Sequence, residues 1–193
     1  MYYYLLLALP PINLNTDPEM TFMELKDFLI LNLSKADFKK VELLLRPIDL
    51  ENIRAFWLGE PLDEKGNFSG KELEEALLVQ DPLPLYLVDY LSRYEIREER
   101  LKFFPSLFAS LFRETEKFKG FLRDYYTFER ERMLVLTALR AKLANRDIVR
   151  ELQFEDPTDP IITNILAQKD SADFIPPKEF EDLKILFVEN SQN

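Results

Sequence analysis

From Phe121 to Leu143 the chain places Phe121, Tyr125, Phe128, Arg132, Leu136, Leu139 and Leu143 at spacings of four, three, four, four, three and four. Alternating threes and fours return side chains to one side of an α-helix, whereas a strand needs a period of two. The stretch predicts the longest helix of the chain, with an apolar seam for a facing helix and one arginine inserted in it.

Shorter segments carry the same periodicity behind recognisable helix starts. Thr21 and Glu24 form a capping box ahead of Phe22, Leu25, Phe28, Leu29 and Leu33, and Ser69 and Glu72 form another ahead of Leu73, Ala76, Leu77 and Leu78. Ser34 and Asp37 open a helix that Pro47 is expected to interrupt, and Asp49 is expected to cap a new one from Leu50 to Leu58, ended by Gly59. A further helix is expected from Leu85 to near Tyr94. Pro105 starts the next, with Leu107, Phe108, Leu111, Phe112 and Phe118 inward and Gly120 near its end. Asp159-Pro160 and Pro176-Pro177 open the last two, and the tail from Glu189 is expected to fray.

Nothing reads as a hairpin or a βαβ unit, so the expectation is an all-α helical bundle. The prolines at 82 and 84 mark a boundary between sub-bundles at 1–82 and 83–193, unless the chain is one continuous domain. The opening Met1-Tyr2-Tyr3-Tyr4-Leu5-Leu6-Leu7-Ala8-Leu9 is apolar, but no basic residue precedes it and Pro10-Pro11 stops it well short of a membrane span. It reads as a short strand or helical turn buried against the core.

The composition removes most catalytic chemistry. With no cysteine and no histidine, thiolate nucleophiles, Ser-His-Asp centres and nearly all structural zinc sites are excluded. The four glycines, Gly59, Gly66, Gly70 and Gly120, do not have P-loop or dinucleotide-fingerprint spacing. Asp63, Lys65, Asn67 and Ser69 alternate as calcium-loop ligands do, but Gly66 stands at the fourth position rather than the sixth and a lysine holds the third. The acidic pairs Asp63/Glu64 and Glu129/Glu131 do not share a helix face, which argues against a two-carboxylate enzyme. No cofactor is expected.

A net charge of -10 argues against nucleic acid as a partner. Residues 97–150, with 13 basic and 8 acidic side chains, form a basic middle between acidic ends. Such a layout serves either as solvated helix faces that attract one another or as a docking surface for an acidic partner. Within it, Glu129, Arg132 and Arg140 are the candidate partner-binding residues. Glu129 and Arg132 lie one turn apart, and Arg132 must reach solvent or find an acid on a facing helix. A weak echo links Ile48-Asp49-Leu50-Glu51-Asn52 to Phe128-Glu129-Arg130-Glu131-Arg132, as a duplicated helical hairpin or as two ordinary amphipathic helices.

Three stretches carry a resemblance: Tyr2-Tyr3-Tyr4-Leu5 through Leu9-Pro10, Leu62-Asp63-Glu64-Lys65-Gly66-Asn67-Phe68-Ser69-Gly70-Lys71-Glu72-Leu73, and Phe128-Glu129 through Leu139-Arg140-Ala141-Lys142. In these the chain resembles a small bacterial family, found in chlamydiae and some other bacteria, encoded among the genes of V/A-type ATPases. That family is distantly similar to the C subunit of V/A-type ATPases, the counterpart of the eukaryotic d subunit, an all-helical funnel on the rotor ring that receives the central stalk. The likeness lies in the acid-x-x-Asn pattern at Asp49 to Asn52 and the ending Leu139 to Lys142. Arg132 departs from the pattern, which would have Asn there, and the chain has about half the length that the resemblance implies for the funnel. The resemblance implies a non-catalytic coupler between central stalk and membrane rotor ring, cytoplasmic and peripheral to the membrane through its complex. The alternative expectation is an adaptor or assembly factor.

Overall fold

A computed structural model of the chain describes residues 2–191. Among the described residues there are eleven α-helices, one 3-10 turn and no strand, so the fold is all-α. The helices form two compact units, the first ending at Phe104 and the second beginning at Pro105.

The first unit holds α1 (Tyr3–Ala8), α2 (Phe22–Asn32), α3 (Lys35–Leu58), α4 (Gly70–Val79), α5 (Leu85–Arg93) and α6 (Arg97–Phe103). Both capping boxes form as expected. In α2 the Thr21 backbone N–H donates to Glu24 at 2.8 Å while the Glu24 N–H donates to the Thr21 hydroxyl at 3.2 Å, and Ser69 and Glu72 repeat the exchange in α4.

Pro47 does not end its helix, contrary to expectation: α3 runs through it from Lys35 to Leu58. An interior proline costs about 3 kcal/mol. Leu45, Leu50, Ile53 and Trp57, all buried on one stripe of α3, offset this at about 1.5–3 kcal/mol per buried side chain. Asp49 is therefore no cap but an interior helical residue, itself buried. Gly59 does end α3, in the left-handed region at φ +75°.

The N-terminal segment also departs from expectation. It is a short helix that buries Leu5 alone, while Tyr4 and Leu7 are 91% and 83% exposed. A hydroxyl holds it in place: Tyr2 Oη donates to Asp37 at 2.5 Å and accepts from the Ser34 N–H at 3.2 Å. Met1 lies outside the described residues.

Helix α5 belongs to the first unit, which places the division after Phe104 rather than at 82/83. Leu87, Tyr90 and Leu91 are buried, and Tyr90 stacks on Trp57 of α3 at 6.2 Å between ring centres. Phe104 meets the same indole edge-on at 6.4 Å, and the Arg100 guanidinium lies over it at 5.6 Å. Pro82 and Pro84 thus lie within the first unit rather than at its end.

The second unit holds α7 (Pro105–Thr115), α8 (Phe121–Leu143), α9 (Ile148–Glu151), α10 (Pro160–Ala167), a 3-10 turn (Lys178–Phe180) and α11 (Glu181–Ser191). Asp159 caps α10 as expected, accepting from the Ile161 N–H at 3.0 Å. Helix α11 continues past Glu189 to Ser191, and the last two residues of the expected fraying tail lie outside the described residues.

Helix α8 spans the expected residues but buries a different face. Tyr126, Leu134, Val135, Ala138, Leu139 and Ala141 point inward, packed by α7, α9 and α10. Of the expected seam only Leu139 is buried, and Phe121, Phe128 and Leu143 are 72%, 50% and 66% exposed. Alanines at 138 and 141 let neighbouring helices approach closely. A seam of seven-residue period also drifts by about 20° per heptad around a straight helix.

Candidate functional site

The residues singled out on α8 separate. Arg132 does not seek a facing helix but pairs along its own. Its Nη2 lies 2.6 Å from Glu129 Oε2, and its Nε donates at 3.2 Å to both carboxylate oxygens. The two side chains are 36% and 23% exposed, and Phe128, half exposed, stacks on Phe180 beside them. Arg140 is exposed near the end of the helix, about 12 Å further along at 1.5 Å per residue, and does not join them.

One residue that does reach a distant segment is Arg130, which sequence reasoning passed over. Its guanidinium bridges Glu155 at 2.6 Å and Asp159 at 2.8 Å. Burial opposes its charge, but the hydrogen bonds and charges of these two carboxylates outweigh burial and hold it more firmly protonated. Further along, Lys142 gathers three carbonyls after α10, those of Gln168, Lys169 and Ser171, at 2.8, 2.7 and 2.5 Å. In the resemblance-bearing ending Leu139 to Lys142, the lysine is thus structural and Arg140 is the outward residue.

In the first unit the acid-x-x-Asn pair of α3 clamps the loop at 63–67. Asp49 accepts the Asn67 backbone N–H at 2.6 Å and the Asn67 side-chain amide at 2.6 Å. Asn52 exchanges two bonds of 2.8 Å with the backbone of Asp63. Burial pushes the Asp49 carboxyl up. The Asn67 hydrogen bonds, with Lys26 and Arg46 acting through space, pull part of that back.

Each long helix therefore pins a loop that follows it, through an acid and an amide in one unit and an arginine in the other. The sequence echo aligned Asp49 with Glu129, yet Glu129 pairs only within its own helix.

The alternating Asp63, Asn67 and Ser69 are spent on this loop and on the α4 cap: Asp63 Oδ1 accepts from the Lys65 N–H at 2.9 Å, and Ser69 forms the capping box. Among the described residues no group of three or more metal-ligating side chains is placed to hold an ion. No helix among them is long and apolar enough to cross a membrane.

Beside the clamp lies a cleft of about 280 Å³ between α3, the 67–68 loop and the 82–87 segment. Leu50, Ile53 and Leu87, each at most 2% exposed, form its floor. Glu42, exposed, and Arg46, half-buried, stand at its edge.

The whole chain, residues 1–193, matches the family described as "Protein of unknown function (DUF2764)". The chain belongs to that family. It is similar to an uncharacterized protein of Chlamydia muridarum (strain MoPn / Nigg), 33% identical over 190 residues that cover 95% of this chain and 71% of the relative. It is likewise similar to one of Chlamydia pneumoniae, 34% identical over 191 residues, with 95% and 71% covered. One of Chlamydia trachomatis serovar D is 31% identical over 189 residues, with 94% and 71% covered. No solved structure matches significantly.

Proposed function

We propose that the chain is a non-catalytic component of a V/A-type ATPase, a reduced counterpart of the helical funnel that couples central stalk to membrane rotor ring. The resemblance in the stretches around Leu62–Leu73 and Phe128–Lys142 supports this reading. The observation that carries it is that α8 leaves Phe121 and Phe128 72% and 50% exposed, with Phe128 one turn from Arg132 of the Glu129–Arg132 pair, instead of burying the seam. Large apolar side chains beside polar ones on a stiff helix are what a protein interface uses.

A coupler transmits torque, so it needs helices that do not bend or slip and broad outer contacts rather than a reactive pocket. The through-running α3, the Arg130 bridge and the Lys142 cap supply that stiffness. Co-purification tests the reading. A rotor coupler stays stoichiometric with the intact ATPase through stringent washing, whereas an assembly factor or adaptor appears only on partial complexes.

A further inference from the structure

Helix α1 buries Leu5 and turns its remaining large side chains outward. On the side of the helix away from Leu5, Tyr3, Tyr4, Leu6 and Leu7 are 59%, 91%, 65% and 83% exposed. The chain that follows adds Ile12 and Leu14, at 91% and 101%. With about 200 Å² to a whole tyrosine and somewhat less to a leucine or isoleucine, these six expose roughly 900 Å². The largest apolar patch on a monomer is about 300–600 Å², and a stable protein contact takes about 800 Å² from each partner. The patch therefore has the size of one side of an interface. The burial of Leu5 and the bonds of the Tyr2 hydroxyl to Asp37 and Ser34 hold α1 in place, which lowers the ordering cost of a contact there.

Charge decides what covers it. The first sixteen residues carry no charged side chain, the next two that do so are acids, Asp17 and Glu19, and the first basic one, Lys26, is spent on the Gly66 carbonyl at 2.7 Å. A helix that lies on a membrane surface rims its apolar face with lysine and arginine, and this one has neither. Two copies of the chain, each at -10, repel one another over most of their surface and least where neutral face meets neutral face. The exposed hydroxyls of Tyr3 and Tyr4 each donate and accept. Across a two-fold axis the same residues satisfy one another, as a self-complementary contact requires.

We propose that the chain pairs with a second copy of itself through the outward side of α1 and the segment carrying Ile12 and Leu14. This goes beyond the rotary reading and does not rest on it: it names a contact between copies, in the first unit, besides the α8 face.

Sedimentation equilibrium of the full 193-residue chain, with no tag ahead of Met1, tests the pairing. The wild type is expected to reach twice 22.9 kDa between about 1 and 100 µM, and to pair more tightly as added salt screens the like net charges. Tyr4→Glu and Leu7→Glu, at exposed positions, are each expected to weaken pairing at least about tenfold, the loss of one buried side chain per copy, with an unchanged circular dichroism spectrum. Phe121→Glu, in the second unit, is expected to leave the pairing intact. A wild type that sediments as one chain at about 100 µM overturns the proposal, as does a dimer that neither α1 variant weakens or one that salt dissociates. A single chain that floats with phosphatidylcholine vesicles and is released by Leu7→Glu assigns the patch to a membrane and overturns the pairing as well. Recovery of the chain without ATPase subunits would sink the rotary reading and leave a dimer standing, and a monomer would do the reverse.

Discussion

Asp49 and Asn67 are joined twice: one carboxylate oxygen takes the Asn67 backbone N–H and the other its side-chain amide, both at 2.6 Å. A buried acid in mid-helix thereby fixes the loop on which α4 and one wall of the cleft depend.

Gly66 sits inside that clamp, and a Cβ there would lie 2.8 Å from Asn52 Nδ2 and 2.9 Å from Asp49 Oδ1. Both atoms are tied by hydrogen bonds and cannot swing away. Gly66→Ala is expected to destabilise by about 1–3 kcal/mol, seen as a lower urea midpoint. Gly70→Ala is the counter-case: it opens α4, and the nearest atom to its Cβ would be Leu62 Cδ1 at 3.6 Å. Helix propensity then makes it neutral or stabilising by up to about 1 kcal/mol. Equal losses at the two sites would refute the clamp.

The Asp49 carboxyl is raised by burial, so the folded state holds its proton more tightly than the unfolded chain does. Stability from this group is present below the unfolded value of about 4 and is lost as pH rises through the folded one. Asp49→Asn removes the titration. Urea unfolding between pH 4 and pH 8 is expected to show the wild type losing stability relative to Asp49→Asn as pH rises, and a flat or opposite difference would contradict the burial argument.

Arg130 and Arg132 are neighbours with different expected costs. Arg130→Met strands Glu155 and Asp159, whose side chains are 14% and 28% exposed, and is expected to cost about 2–4 kcal/mol. Arg132→Glu disturbs a half-exposed pair within one helix and is expected to cost about 1 kcal/mol or less, while weakening complex formation. Thermal and urea unfolding separate the two, and a fold lost with Arg132→Glu would make that residue structural instead.

Arg140 and Lys142 divide in the same way. Lys142→Met leaves three carbonyls after α10 without their ammonium and is expected to cost about 1–2 kcal/mol. Arg140→Met, at an exposed position, is expected to stay within about 0.5 kcal/mol. Comparable losses in unfolding would show that the outward side chain also holds the fold.

The contrast between these residues explains what could be read before the structure. Thr21 with Glu24, Ser69 with Glu72, and Asp159 with Ile161 were legible because their hydrogen bonds close within three residues. Pro47 misled because a local penalty was outweighed by burial of Leu45, Leu50, Ile53 and Trp57, which is decided by partners far along the chain.

The extent of α8 was legible but its inward face was not. Tyr126, Ala138 and Ala141 offer as good a stripe as the larger apolar residues once close helix packing is possible. Arg130 gave no signal because its partners lie 25 and 29 residues away. Asp49 was noticed for its pattern with Asn52, but only the fold shows that the pair grips the 63–67 loop.

The account rests on outer helix faces engaging protein partners, and Phe121 offers the cleanest probe of that. It is the first residue of α8 and 72% exposed. Phe121→Glu places a carboxylate where the helix dipole favours it, so the fold is kept while the apolar contact is lost. The deciding measurement is quantitative purification of tagged wild type and Phe121→Glu from the native cell, with circular dichroism to confirm both are folded. The account predicts ATPase subunits in stoichiometric yield with the wild type and at least about tenfold less with the variant, the loss of one buried aromatic anchor. A wild type recovered alone, or a variant that retains the full complex, would contradict it.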